Sequence, residues 1–92
     1  MKGRIIYSAH VVSQMFKRNI TEKQIEDILK NGIIIKEYCD DKPYPSFLIL
    51  GYIESMPLHV VYAVNDFGQN IIIIAYKPDH NLWSSDFTIK KK

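Results

Sequence analysis

The sequence predicts an α+β fold: two N-terminal helices packed on a curved antiparallel sheet of four main strands. Three observations lead there. Apolar residues recur at helical spacing up to Asn31 and in strand-like runs after Gly32. Turn-forming clusters cut the second part into strand-sized pieces with short connections, which favours an antiparallel meander. The long apolar runs then need cover, and two amphipathic helices can supply it on one face.

Arg4-Ile5-Ile6-Tyr7 reads as a short initial strand or as an arm leading into the first helix. Ser8 can cap that helix, which is expected from about Ala9 to Arg18. Val11, Val12, Met15 and Phe16 give it a broad apolar face, while His10, Gln14 and Arg18 recur four apart on another side. The second helix has a sharper start. Thr21 and Gln24 form a capping-box pattern, and Ile20 can staple against Ile25. Ile25, Ile28 and Leu29 are its inward residues, and Gly32 is its expected exit.

Ile33-Ile34-Ile35-Lys36-Glu37-Tyr38 opens the sheet, followed by a turn-rich stretch from Asp40 to Pro45. The next strand covers about Ser46–Ile53 and pairs with Leu58–Val64 across a short connection. Asn65-Asp66-Phe67-Gly68 is a tight turn into Asn70–Tyr76. Alternation puts His59, Val61 and Ala63 on one face, opposite Leu58, Val60, Tyr62 and Val64. Trp83, after the Lys77-Pro78 break, is expected to anchor the C-terminal segment. Residues 1–92 are thus read as one domain with a basic C-terminal tail.

The charge is a mild +2, so its distribution matters more than its total. Lys2, Arg4, Lys17 and Arg18 precede any acid, and the chain ends Lys90-Lys91-Lys92. Two basic ends that meet on one face would attract nucleic acid; scattered, they only keep the surface solvated. Cys39 is alone, which excludes an internal disulfide and thiol-rich metal sites and fits a reducing cytosol. Ile71-Ile72-Ile73-Ile74-Ala75 is far shorter than the ~20 residues a helix needs to span lipid. A cytoplasmic protein with no membrane partner is expected. His10, His59, His80 and the scattered aspartates match no compact metal motif, so neither metal nor cofactor is expected.

Each candidate functional residue has a structural alternative. His10 can transfer protons near neutral pH with Lys17 or Arg18 countering phosphate charge, or it is an ordinary surface residue. His59 either faces a site or is buried beside a tyrosine or a backbone carbonyl. Ser8 is a cap, since no local motif activates its hydroxyl. The tyrosines, phenylalanines and Trp83 offer stacking surfaces for bases, although most are needed to fill the core or cover the sheet.

Ser8-Ala9-His10, Arg18-Asn19-Ile20, Gly32-Ile33-Ile34, Pro57-Leu58-His59-Val60-Val61 and Ala75-Tyr76-Lys77-Pro78-Asp79 together resemble the bacterial and phage family called domain of unknown function 4258. The resemblance spans roughly residues 5–90. That family looks like a minimal relative of RelE-type and barnase-like ribonuclease folds, some members resembling toxin modules. The resemblance places His10 and His59 in the candidate site with Tyr76 near its edge; with the chemistry of these residues, the expected function is a metal-independent ribonuclease in which the histidines act as acid and base and Arg18 stabilises phosphate charge. Gln14, Lys17, Tyr76, Lys90 and Lys91 would contact substrate. It also implies RNA, an antitoxin or another protein as partner. Gln14 stands where relatives often have arginine, and lysines stand where many have a terminal arginine. Lysine lacks the guanidinium fork, which weakens a phosphate clamp. A noncatalytic module that binds nucleic acid or protein is the alternative.

Overall fold

The computed structural model describes residues 3–91. Its elements in chain order are β1 (Ile5–Ile6), α1 (Ala9–Lys17), α2 (Glu22–Asn31), β2 (Ile33–Tyr38), β3 (Ser46–Ile53), β4 (Met56–Val64) and β5 (Asn70–Tyr76). The strands form one sheet in the order β1-β5-β4-β3-β2. β2 to β5 make the expected antiparallel meander. The expectation of four strands needs correction, because β1 adds a fifth and runs parallel to β5. Ile5 pairs with Asn70 and Ile6 with Ile71, so the sheet is mixed.

Local chemistry explains both helix starts. The Ser8 hydroxyl accepts from the Val11 amide at 3.1 Å, satisfying one of the orphan donors of the first turn. At α2 the capping box is complete: Gln24 N–H donates to the Thr21 hydroxyl oxygen, and Thr21 N–H donates to the Gln24 side chain. Arg18 caps α1 instead of continuing it. Asn19 follows in the left-handed region at φ 57 and turns the chain toward α2.

Val11 and Met15 of α1 and Ile25, Ile28 and Leu29 of α2 pack on Ile49, Leu58, Val60, Ile72 and Ala75 of the sheet. α1 lies on β5, and α2 lies on β3 and β4. The hairpin turn after β4 is tied by Asn65, whose side-chain oxygen accepts from the Phe67 and Gln69 amides. Gly68 there takes φ 75, which an L side chain rarely adopts.

The C-terminal segment is a strap folded back along the other sheet face. Trp83 bridges Lys90 in antiparallel fashion, and Ser84 N–H donates to the Ile89 carbonyl at 2.7 Å. Asp86 holds the loop by accepting from the Ser84 and Thr88 hydroxyls, and those bonds keep its carboxyl below the usual range. Lys92 lies outside the described residues. Among those described, no helix is long and apolar enough to cross a membrane.

Candidate functional site

The two histidines expected to share a site lie on opposite faces of the sheet. Leu58 and Val60 point into the helix-covered core, so strand alternation turns His59 the other way. His10 is exposed on α1. The joint His10–His59 catalytic site is therefore not formed.

His59 is 0% exposed and uses both ring nitrogens. Nε2 lies 2.9 Å from the Phe87 carbonyl oxygen, and Nδ1 lies 3.1 Å from the Tyr76 hydroxyl. A carbonyl only accepts, so Nε2 carries the hydrogen and Nδ1 accepts from Tyr76 O–H. Phe87 takes the left-handed φ of 63 in presenting that carbonyl. The imidazole packs edge-on to Tyr76 and Trp83, with ring centroids 5.2 and 4.4 Å away. Burial pushes its pKa below the ordinary histidine value, and the bond to Phe87 opposes that in part. This histidine fastens the strap to the sheet.

Beside that fastening is a cavity of about 440 Å³ between the sheet and the strap. Lys36 and Tyr38 of β2, Tyr76 of β5, and Trp83, Thr88 and Lys90 of the strap line it, with Leu48 and Ile89 supplying apolar surface. No carboxylate is among these residues. The Lys36 ammonium sits 5.4 Å from the Tyr38 ring centroid, within cation–π range. Burial raises the Tyr76 phenol, with the Tyr38 phenol adding to the shift, so Tyr76 stays a neutral hydrogen-bond donor. The cleft thus combines two cations, three aromatic side chains and the aliphatic hydroxyl of Thr88.

Of the residues expected at a substrate, Tyr76 and Lys90 are among those lining this cleft. Lys36, Tyr38 and Thr88 line it without being among the candidates that the sequence singles out. Lys36 and Tyr38 are two apart on one strand and so share a face, which is the signal that could have found the first pair. Lys91 is exposed and donates to the His80 carbonyl at 3.4 Å, away from the cleft lining.

A second cavity, of about 220 Å³, lies where α1 meets β5. His10, Gln14 and Arg18 line it as their four-residue spacing suggests, together with Ile73, Ile74 and Ala75. The Arg18 guanidinium donates to the Ala75 carbonyl at 3.0 Å, which fixes its position at the end of the helix. Lys17 is exposed and does not line this cavity. Among the described residues, no group of three His, Cys, Asp or Glu side chains is placed to hold a metal ion.

No curated protein and no solved structure matches the chain. Residues 7–77 match the family model described as domain of unknown function 4258, a span that includes both helices, β2 to β5 and His59, and the chain belongs to that family.

Proposed function

We propose that the chain is a noncatalytic module that binds single-stranded RNA in the cleft between the sheet and the strap. The observation that carries this reading is the lining itself: Lys36 and Lys90 with Tyr38, Tyr76 and Trp83 around one opening, and no acid. Single strands are held by cations that follow the phosphates and by aromatic faces that stack on unpaired bases. Stacking contributes about 1–3 kcal/mol per base, so one or two bases against these rings would matter. The carboxylates of Asp40 and Asp41, near in sequence to Tyr38, are not part of the lining.

Fluorescence anisotropy with a short labelled RNA tests it. Affinity should fall as salt rises, and the Lys36→Ala/Lys90→Ala double variant should flatten the salt slope by about 1.4, at roughly 0.7 for each phosphate that is no longer neutralised. Trp83 emission should change on binding. Unaltered affinity and slope in the double variant would remove the cleft from the binding surface.

A second reading, metal-independent RNA cleavage by a toxin-like module of RelE-type or barnase-like kind, is favoured by the α1–β5 cavity. His10 would serve as the proton-transfer group there, and the fixed Arg18 guanidinium would stabilise developing phosphate charge. An antitoxin would then have to cover that cavity. The expected result is RNA cleavage that persists in chelator and drops about 100-fold or more in His10→Ala. Cleavage that survives the substitution would eliminate His10 as the acid or base.

A further inference from the structure

We infer that His59 is a proton-sensitive latch: it holds the strap on the sheet when neutral and releases it, with the binding cleft, when protonated. The ligand arm of this inference rests on the binding reading above. Its structural arm does not.

The neutral ring is fully satisfied, giving one hydrogen to Phe87 and accepting one from Tyr76. Phe87 belongs to the strap, so this bond crosses from strap to sheet. Tyr76 and Trp83, which flank the ring, are also walls of the cleft. The same contacts that bury the imidazole therefore shape the site. A second proton would make both nitrogens donors, force the Tyr76 hydrogen to turn away, and put a charge where water does not reach.

Among the described residues, no acidic side chain pairs with the ring to compensate that charge. β3 offers Leu50, the residue paired opposite His59, and Leu48. β5 offers the neutral phenol of Tyr76, and β2 brings Lys36 and Tyr38 to the adjoining cleft. From the strap come Trp83, Phe87 and Lys90, while the Asp86 carboxylate is taken up by Ser84 and Thr88. The Lys23–Asp27 ion pair, and the His80–Asp79 contact that is an ion pair only with a protonated imidazole, do not involve His59. Of the fixed charges named, Lys36 and Lys90 are cationic, and the anionic Asp86 directs its carboxylate to the Ser84 and Thr88 hydroxyls rather than to the imidazole.

The direction follows from linkage. An undocked His59 would titrate near the ordinary value of about 6.5, and the docked ring titrates lower. Docking is then at full strength above about pH 6.5 and weakens as pH falls toward the docked value, by up to about tenfold per pH unit. Simple attraction between lysines and phosphate predicts the opposite for binding, because acidification only adds positive charge.

Trp83 is the chain's one tryptophan and touches the ring, so it reports on the latch without any ligand. Its emission and acrylamide quenching should be followed in the intact protein from about pH 7.5 to about 5, with RNA anisotropy in parallel. Expected are a one-proton rise in quenching with its midpoint below about 6.5, a loss of RNA affinity over the same window, and no transition in His59→Phe. A Trp83 signal that stays flat, or a transition that survives in His59→Phe, overturns the latch. RNA affinity that rises through the Trp83 transition overturns control of the cleft. A full Trp83 transition with no RNA bound at any pH supports the latch and sinks the binding reading instead. Should His59→Phe fail to fold, the imidazole resonance of wild-type His59 decides: a midpoint shared with Trp83 supports the latch, and a different midpoint overturns it.

Discussion

Gly32→Ala is expected to destabilise the protein by about 3 kcal/mol, the upper end of ordinary overpacking, seen as a lower urea midpoint at unchanged slope. Gly32 ends α2 with φ −77 and ψ 179, an extended conformation open to any residue. Its requirement is space. An added Cβ would lie 2.6 Å from the Ile28 carbonyl oxygen, 2.7 Å from that of Leu50 and 2.9 Å from Ile49 Cγ1. The Ile28 oxygen already accepts from Gly32 N–H at 2.7 Å, and Leu50 pairs with Ile33 in the sheet. Moving either carbonyl would disturb the helix end or the β2–β3 register. Gly51 provides the comparison, since its added Cβ would lie 2.3 Å from Ile28 Cδ1, the far end of a side chain. Its other contacts, Ile28 Cγ2 at 3.3 Å and Cγ1 at 3.4 Å, belong to the same side chain, so the buried Ile28 must repack but no carbonyl moves, and Gly51→Ala should lose less, about 1–2 kcal/mol. Equal losses at the two glycines would refute the carbonyl argument.

The same glycine shows what sequence reading reaches. Gly after Asn31 marks the helix end correctly, because helix exits favour glycine. The reason here is different, an approach to a carbonyl of β3 that only the folded sheet creates. Features set within a few residues are legible throughout: the Ser8 cap, the Thr21–Gln24 box and the Asn65–Gly68 turn. β1 is ambiguous in the sequence because two residues carry little strand signal and its partner, Asn70 with Ile71, is far along the chain. Alternation alone puts His59 on the face away from Leu58 and Val60. Pairing it with His10 requires α1 on that same face, and the helices cover the other one. The cleft is half legible. Tyr76 and Lys90 stand out in the sequence; the spacing of Lys36 and Tyr38 shows that they share a face, but what that face meets is set only when the strap folds back beside β2. A fold-back of that kind depends on tertiary contacts, among them the edge-on packing of Trp83 on His59.

His59→Ala is expected to cost about 3 kcal/mol, while His10→Ala should stay within about 0.5 kcal/mol. The His10 side chain is exposed, so its removal opens no cavity. Removing the His59 ring empties a fully enclosed place beside Tyr76 and Trp83 and takes away the partner of two polar groups. The Phe87 carbonyl and the Tyr76 hydroxyl must then find water or stay unsatisfied, and an unsatisfied buried group costs about 1–3 kcal/mol. The loss should concentrate in the strap. Ser84–Ile89 and Lys91–Leu82 bonds run within that segment, whereas the Phe87–His59 bond joins it to β4. In His59→Ala, the strap should therefore release at low urea, with Trp83 emission shifting to the red while circular dichroism still reports the helices and the meander. A urea titration followed by both signals should separate into two transitions, Trp83 first, in contrast to a single one for wild type. Coincident transitions with a loss no larger than that of His10→Ala would mean that core packing elsewhere holds the strap and that the imidazole bridge contributes little.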